Sequence, residues 1–66
     1  MQVMINGQRH RSSGSMSLAQ AVAQLTSIRA GVAAAVNGDV VRRAAWETTL
    51  LADGDEVEVL TAVQGG

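Results

Sequence analysis

Val32-Ala33-Ala34-Ala35-Val36-Asn37-Gly38-Asp39-Val40-Val41-Arg42 is the stretch that decides the fold. Three successive Ala would tolerate a helix, but only five residues stand between Gly31 and Asn37-Gly38. Strands run about 4–8 residues and helices about 10 or more, so this run predicts a buried strand with small side chains. Asn-Gly between two β-capable runs is a strong hairpin signal, because a type I′ turn needs φ > 0 at both central positions. Val40-Val41-Arg42 is then the returning strand.

The same device stands at the start of the chain. Met1 to Ile5 is short and apolar, Asn6-Gly7 turns it, and Gln8 to Arg11 returns. This second strand is polar enough for a sheet edge, where charge discourages edge-to-edge pairing. His10, the one His, has no Cys or nearby carboxylate to share a metal with and reads as a surface residue rather than a ligand or base.

Between the hairpins, Ser17-Leu18-Ala19-Gln20 fits a capping box, in which the Ser and Gln side chains satisfy the first free N–H groups of a helix. Leu18, Ala21, Val22 and Leu25 follow at i, i+3, i+4 and i+7, one apolar stripe for a sheet to cover, with Ala19, Gln20, Ala23 and Gln24 facing away. After the second hairpin, residues 43–51 have no clean period. A short helical turn there is expected to plant Trp46, Leu50 and Leu51 against the core. Trp46, the single aromatic residue, suits either core burial or a partner surface. Asp53-Gly54-Asp55 is a tight turn, and Glu56 to Ala62 is the last strand. Alternation puts Val57, Val59, Thr61 and Val63 on the face toward the helix. Glu56, Glu58, Leu60 and Ala62 take the other face. Leu60 and Ala62 are then either exposed beside the chain end, as a docking surface requires, or covered by a loop at the sheet edge.

Composition narrows the function classes. The 66 residues allow one small domain, and 47% hydrophobic residues support a core. The absence of Cys removes disulfides, thiolate metal sites and cysteine nucleophiles, and suits a reducing cytosol. No apolar run reaches the ~18 residues of a membrane span, and no signal peptide is evident, so a soluble cytoplasmic domain is expected. The net charge of −1 gives no footprint for nucleic acid. All six acids lie from Asp39 onward; residues 1–38 carry +3 and residues 39–66 carry −4. That acidic half is either a solvated strand face or one drawn to a basic partner. No Gly-rich phosphate loop with its Lys is present.

The chain closes on Val63-Gln64-Gly65-Gly66. Such an end is either a frayed terminus or a handle. Residues without Cβ let the backbone, and a terminal carboxylate, enter a narrow channel. Hairpin, helix, hairpin, short turn and strand, with first and last strands parallel at the centre, is the β-grasp arrangement, an α+β fold. About five strands in a mixed sheet and one main helix are expected over residues 1–62, with 63–66 as a flexible tail.

In this order the chain resembles the ThiS family, the ubiquitin-like sulfur carriers of thiazole biosynthesis in the thiamine pathway. The resemblance spans nearly all residues and rests on Ile5-Asn6-Gly7, on Val36 to Arg43 with Trp46, on Leu51 to Val59, and on Gly65-Gly66. It departs where such proteins often carry a third Gly, at Gln64, and a Pro, at Arg42. The resemblance implies that the chain is a protein co-substrate and not an enzyme. An adenylating enzyme of the ubiquitin-activating type would transfer AMP from MgATP to the Gly66 carboxylate. Sulfur from a persulfide, supplied by a cysteine desulfurase or another donor, would convert it to a thiocarboxylate. Thiazole synthase would accept the sulfur. Gly65, Gln64 and Val63 would give the end its reach, no cofactor or metal would be held stably, and neither nucleic acid nor membrane is a partner. Rival readings are a carrier for molybdopterin or cysteine synthesis, a conjugating modifier, and a small β-rich DNA-binding antitoxin or regulator.

Overall fold

A computed structural model describes residues 1–26 and 31–61. Five strands, one α-helix and one 3₁₀ turn occur in the order β1 (Gln2–Ile5), β2 (Gln8–Arg11), α1 (Leu18–Leu25), β3 (Val32–Val36), β4 (Asp39–Val41), the 3₁₀ turn Arg43–Ala45 and β5 (Glu56–Thr61). The strands form one sheet ordered β2-β1-β5-β3-β4. β1 and β5 run parallel at its centre, and every other pairing is antiparallel. With α1 across one face, this is the β-grasp fold.

Both hairpins turn as the sequence predicts. Ile5 pairs with Gln8 and Val36 with Asp39, leaving two-residue loops. Asn6 and Asn37 sit at φ 50° and 51°, followed by Gly7 and Gly38 at φ 81° and 89°. A β-branched residue would be strained there, whereas Asn and Gly visit this region at little cost. β2 lies at one edge and β4 at the other. The returning strand of the second hairpin is shifted one residue toward the turn, Asp39–Val41.

The helix start is fully paired. Ser17 Oγ accepts from the Gln20 N–H at 3.1 Å, and Gln20 Oε1 accepts from the Ser17 N–H at 2.8 Å, completing the capping box. The Leu18 and Ala19 N–H groups donate to Thr49 O (2.8 Å) and Trp46 O (3.1 Å). The segment after the 3₁₀ turn thus supplies the carbonyls that a helix N-terminus lacks. Trp46 is buried, and its Nε1–H donates to Val41 O at 2.9 Å, so its one polar atom is satisfied. Of the two readings open for Trp46, the structure selects the core.

Val3, Ile5, Ala34, Val57 and Val59 from the sheet meet Leu18, Ala21 and Val22 from the helix, with Met16, Trp46 and Leu51 closing the sides. Five expectations need correction. Leu25, the last member of the stripe, is 41% exposed, because the core covers only the part of the helix carrying Leu18 to Val22. Ala19 is half-buried and packs against the core. Leu50 is exposed while Leu51 is buried. There the chain is extended, with the Leu51 N–H donating to Met16 O at 2.8 Å, and neighbours on extended backbone point to opposite sides. β3 is a strand, but only Ala34 is fully buried, since a helix covers one sheet face and leaves Ala33 and Ala35 on the other. Thr61 is exposed although it alternates with Val57 and Val59; Val63, expected on the same face, lies outside the described residues.

His10 also departs from the surface reading. It pairs opposite buried Val3, so it shares the helix-side face and is half-buried. Its Nε2 is enclosed without a hydrogen-bond partner among the described residues.

Trp46 joins three elements, so Trp46→Ala should cost about 3–5 kcal/mol, as large-to-small core changes do. Urea unfolding followed by circular dichroism should show a large loss of the midpoint, and an unchanged midpoint would contradict this account of the core.

Candidate functional site

β5 is the element that leads to the Gly-Gly end, and its position is set by backbone and side-chain bonds together. The Met4 and Asn6 N–H groups donate to Asp55 O and Val57 O, each at 2.9 Å. β1 then turns away at Gly7, and the Asn6 side chain takes over. Its Nδ2 donates to Val59 O at 3.0 Å and its Oδ1 accepts from the Val59 N–H at 2.8 Å. The primary amide thus pairs with β5 as one more peptide group of β1 would. Asn37 does the same on the β3 side. Its Oδ1 accepts from the Glu56 N–H at 2.9 Å, its own N–H donates to Glu56 O at 2.7 Å, and its Nδ2 donates to Asp55 Oδ1 at 3.0 Å. The second Asp55 oxygen accepts from the Ala52 N–H at 2.7 Å. Sequence reasoning valued both Asn only for φ > 0 and missed this clamp. The signal was the same residue, Asn, at the first loop position of both hairpins.

On the face away from α1, β5 presents Glu56, Glu58 and Leu60, all exposed. Leu60 is 70% exposed and Val40 79%. Leu60 pairs opposite Ala33, and Ala35 lies between Glu58 and Val40, so small residues leave these side chains standing clear. Of the two possibilities for Leu60, exposure is the one observed. Ala33 and Val40 were not foreseen as part of this face; the alternation of β3 and β4 carried the information. Across the sheet, Arg9 pairs opposite Met4, whose other neighbour is Glu56. Ala62, Val63, Gln64, Gly65 and Gly66 lie outside the described residues.

A depression of about 490 Å³ beside the first turn is lined by Met4, Asn6, Gly7, Glu56, Val57 and Glu58. It brings together two exposed carboxylates and a primary amide. Among the described residues no group of three or more His, Asp or Glu is placed to hold a metal ion. No helix among the described residues is long and apolar enough to cross a membrane. Along β5 and β4 the face away from α1 is both acidic and apolar, carrying Glu56, Glu58, Leu60 and Val40.

The clamp makes stability depend on pH. The Ala52 N–H, and after it the Asn37 side chain, hold the Asp55 pKa below the ordinary Asp value. A depressed folded pKa means that the unfolded chain binds the proton first. The stabilisation is fully present above the unfolded value of about 3.9 and is lost as pH falls through the folded value. Urea midpoints should fall on acidification through this window, and Asp55→Asn should flatten that part of the profile. An identical pH profile for Asp55→Asn would remove Asp55 from the account.

Comparison with known proteins agrees with this geometry. The ThiS family matches residues 3–66. The chain is 29% identical to the sulfur carrier protein ThiS of Escherichia coli K12, over the full length of both. The crystal structure of the thiamine biosynthesis protein ThiS from Geobacter metallireducens superimposes with a TM-score of 0.77 at 32% identity, each chain being covered completely. The solution NMR structure of a thiamine biosynthesis protein from the same organism gives the same TM-score and identity, with 88% of that chain covered. A match that begins within β1 and runs through both clamp asparagines and β5 to Gly66 assigns this chain to the ThiS family.

Proposed function

We propose that this protein is a sulfur carrier of thiamine biosynthesis, with Gly66 as the atom-bearing end. The observation that supports this most is the family match running through Gly65-Gly66, together with the full-length similarity to a sulfur carrier of that family. A carboxylate is a poor electrophile, because displacing an oxide from it is prohibitive. An adenylating enzyme of the ubiquitin-activating type transfers AMP from MgATP to the Gly66 carboxylate, and the acyl-adenylate has AMP as its leaving group. The terminal sulfur of a persulfide, drawn from cysteine by a desulfurase, attacks the acyl carbon and expels AMP. A thiol then cleaves the resulting acyl disulfide, being oxidised to a disulfide as the Gly66 thiocarboxylate is released. Thiazole synthase accepts that sulfur.

In this reading the carrier contributes no acid, base or nucleophile, and ATP and Mg²⁺ belong to the activating partner. Gly65 admits the end to a narrow channel, and Gln64 and Val63 span from β5 to it. Leu60 docks on the activating enzyme, and Ala62 is assigned to the same surface. Exposed Glu56 and Glu58 on the same face favour a partner surface that is basic around an apolar centre. Residues 1–62 act as the body and 63–66 as the delivered segment.

The deciding experiment is intact mass after incubation with MgATP, a persulfide source, a thiol reductant and the cognate activating enzyme. The protein should gain the mass of one oxygen-to-sulfur exchange, and deletion of Gly66 should abolish the gain. Thiazole formation with the synthase then separates this carrier from carriers for molybdopterin or cysteine synthesis. No gain in folded, full-length protein with any activating enzyme would sink the proposal.

A second outcome concerns the face. Leu60→Arg leaves the core untouched and should raise the KM for the carrier in the activation step by roughly tenfold, the scale of losing an apolar anchor at an interface. An unchanged KM would take Leu60 out of the docking surface.

A further inference from the structure

We infer that Asn37 is a site of spontaneous covalent modification, and that the clamp on β5 sets the rate at which the folded protein undergoes it. The chemistry is local. The Gly38 backbone nitrogen attacks Asn37 Cγ, forming an N–C bond. The Cγ–Nδ2 bond breaks, and ammonia leaves with the electron pair and the proton from the Gly38 amide. Solvent water then opens the five-membered imide at either carbonyl, giving aspartate or isoaspartate at 37. Nothing is oxidised or reduced. Gly at 38 permits the attack, since no Cβ crowds its nitrogen and the space around its Cα is open.

The chain has a second Asn-Gly, Asn6-Gly7, with Asn at φ 50° against 51° and Gly at φ 81° against 89°. The two therefore share the reacting dipeptide, and the fold holds the two amides differently. Attack requires the side-chain amide to swing toward the following backbone nitrogen, which breaks its hydrogen bonds. Asn6 is pinned by both polar groups of Val59, in bonds that are partly buried at the sheet centre. Asn37 is pinned by the Glu56 N–H and the Asp55 carboxylate, in bonds that are exposed to solvent. Solvent-exposed bonds open at a lower free energy than those of the central strands, so Asn37 is released by local opening and Asn6 only by larger unfolding.

The step is also one-way. A carboxylate at 37 has no donor to offer Asp55 and faces it as a like charge, so the clamp does not reclose. Isoaspartate further lengthens the backbone of a two-residue loop whose register is set by the Val36–Asp39 pair. The modified chain thus carries a loosened junction between β3 and β5. The Asp55 carboxylate is the guard of the native state, because a hydrogen bond to an ionised acceptor is the stronger kind.

Trypsin separates the two sites, since cleavage after Arg9 yields residues 1–9 and cleavage after Arg29 and Arg42 yields residues 30–42. Full-length folded protein is held at mildly alkaline pH, sampled over time, digested and weighed. In the folded chain the 30–42 peptide should gain one mass unit at least about threefold faster than the 1–9 peptide, as a lower opening free energy requires. In denaturing urea the two should convert at comparable rates. Asp55→Asn should speed the 30–42 peptide severalfold and leave 1–9 unchanged, with the 1–9 peptide reporting any global destabilisation. Equal rates in the folded chain would overturn the inference. So would no gain at 30–42 over a period in which the denatured chain converts completely, or an Asp55→Asn variant that ages like the parent.

Discussion

The structure depends on how β5 is held between two shorter neighbours. A strand at the centre of a sheet must have both rows of its backbone groups paired, since an unpaired buried N–H or C=O costs about 1–3 kcal/mol. β1 ends at Ile5, and the chain must turn there to make its hairpin. The Asn6 side chain supplies the next donor and acceptor to Val59, and Asn37 does the equivalent at Glu56. Each residue therefore serves twice, accepting φ > 0 to make the turn and extending the ladder with its amide. A Gly would satisfy the first demand and an Ala neither. Asp55 ties the clamp to the preceding turn through Ala52, so the start of β5 is fixed from both sides.

Around that strand the protein is built in two layers, and the consequence is asymmetry. α1 covers one face of the sheet with Leu18, Ala21 and Val22, and the segment around Trp46 and Leu51 seals the side. Among the described residues no layer covers the other face. Ala33 and Ala35 keep it low on β3, while Leu60 and Val40 stand out beside the row of β5 carboxylates. A chain of this size has one core to spend its apolar residues on. Large apolar side chains left outside it, next to the strand that leads to the proposed reacting end, fit a molecule whose work is done in the grasp of other proteins. This physical picture and the proposed chemistry meet at β5.

Much of the fold was legible because it rests on local chemistry. The two Asn-Gly turns, the capping box at Ser17 and the alternation of β5 each follow from a few neighbouring residues. Leu50 and Leu51 were not separable in the same way. Which of the two is buried depends on the backbone being extended there, and that follows from pairing with Met16 and Leu18, some thirty residues away in the chain. Leu25 fits the helical period as well as Leu18 does, but periodicity states only a direction. Whether a surface lies in that direction is a matter of how far the core reaches. His10 read as a surface residue for want of a Cys or carboxylate to share a metal with, and the register opposite Val3 turned it inward.

By itself the sequence determined the strand turns, the helix start, the parallel central pair through the order of elements, and the Gly-Gly end with its family. These are set by φ preferences, capping and periodicity, which act within a few residues. Only the tertiary structure decided that the Asn6 and Asn37 amides complete the ladder of β5. It likewise decided that Trp46 closes the core through Val41, and that Leu60 and Val40 share an open face. Those outcomes depend on register between strands far apart in the chain. Register is a property of the whole sheet, settled by which faces must be buried at once.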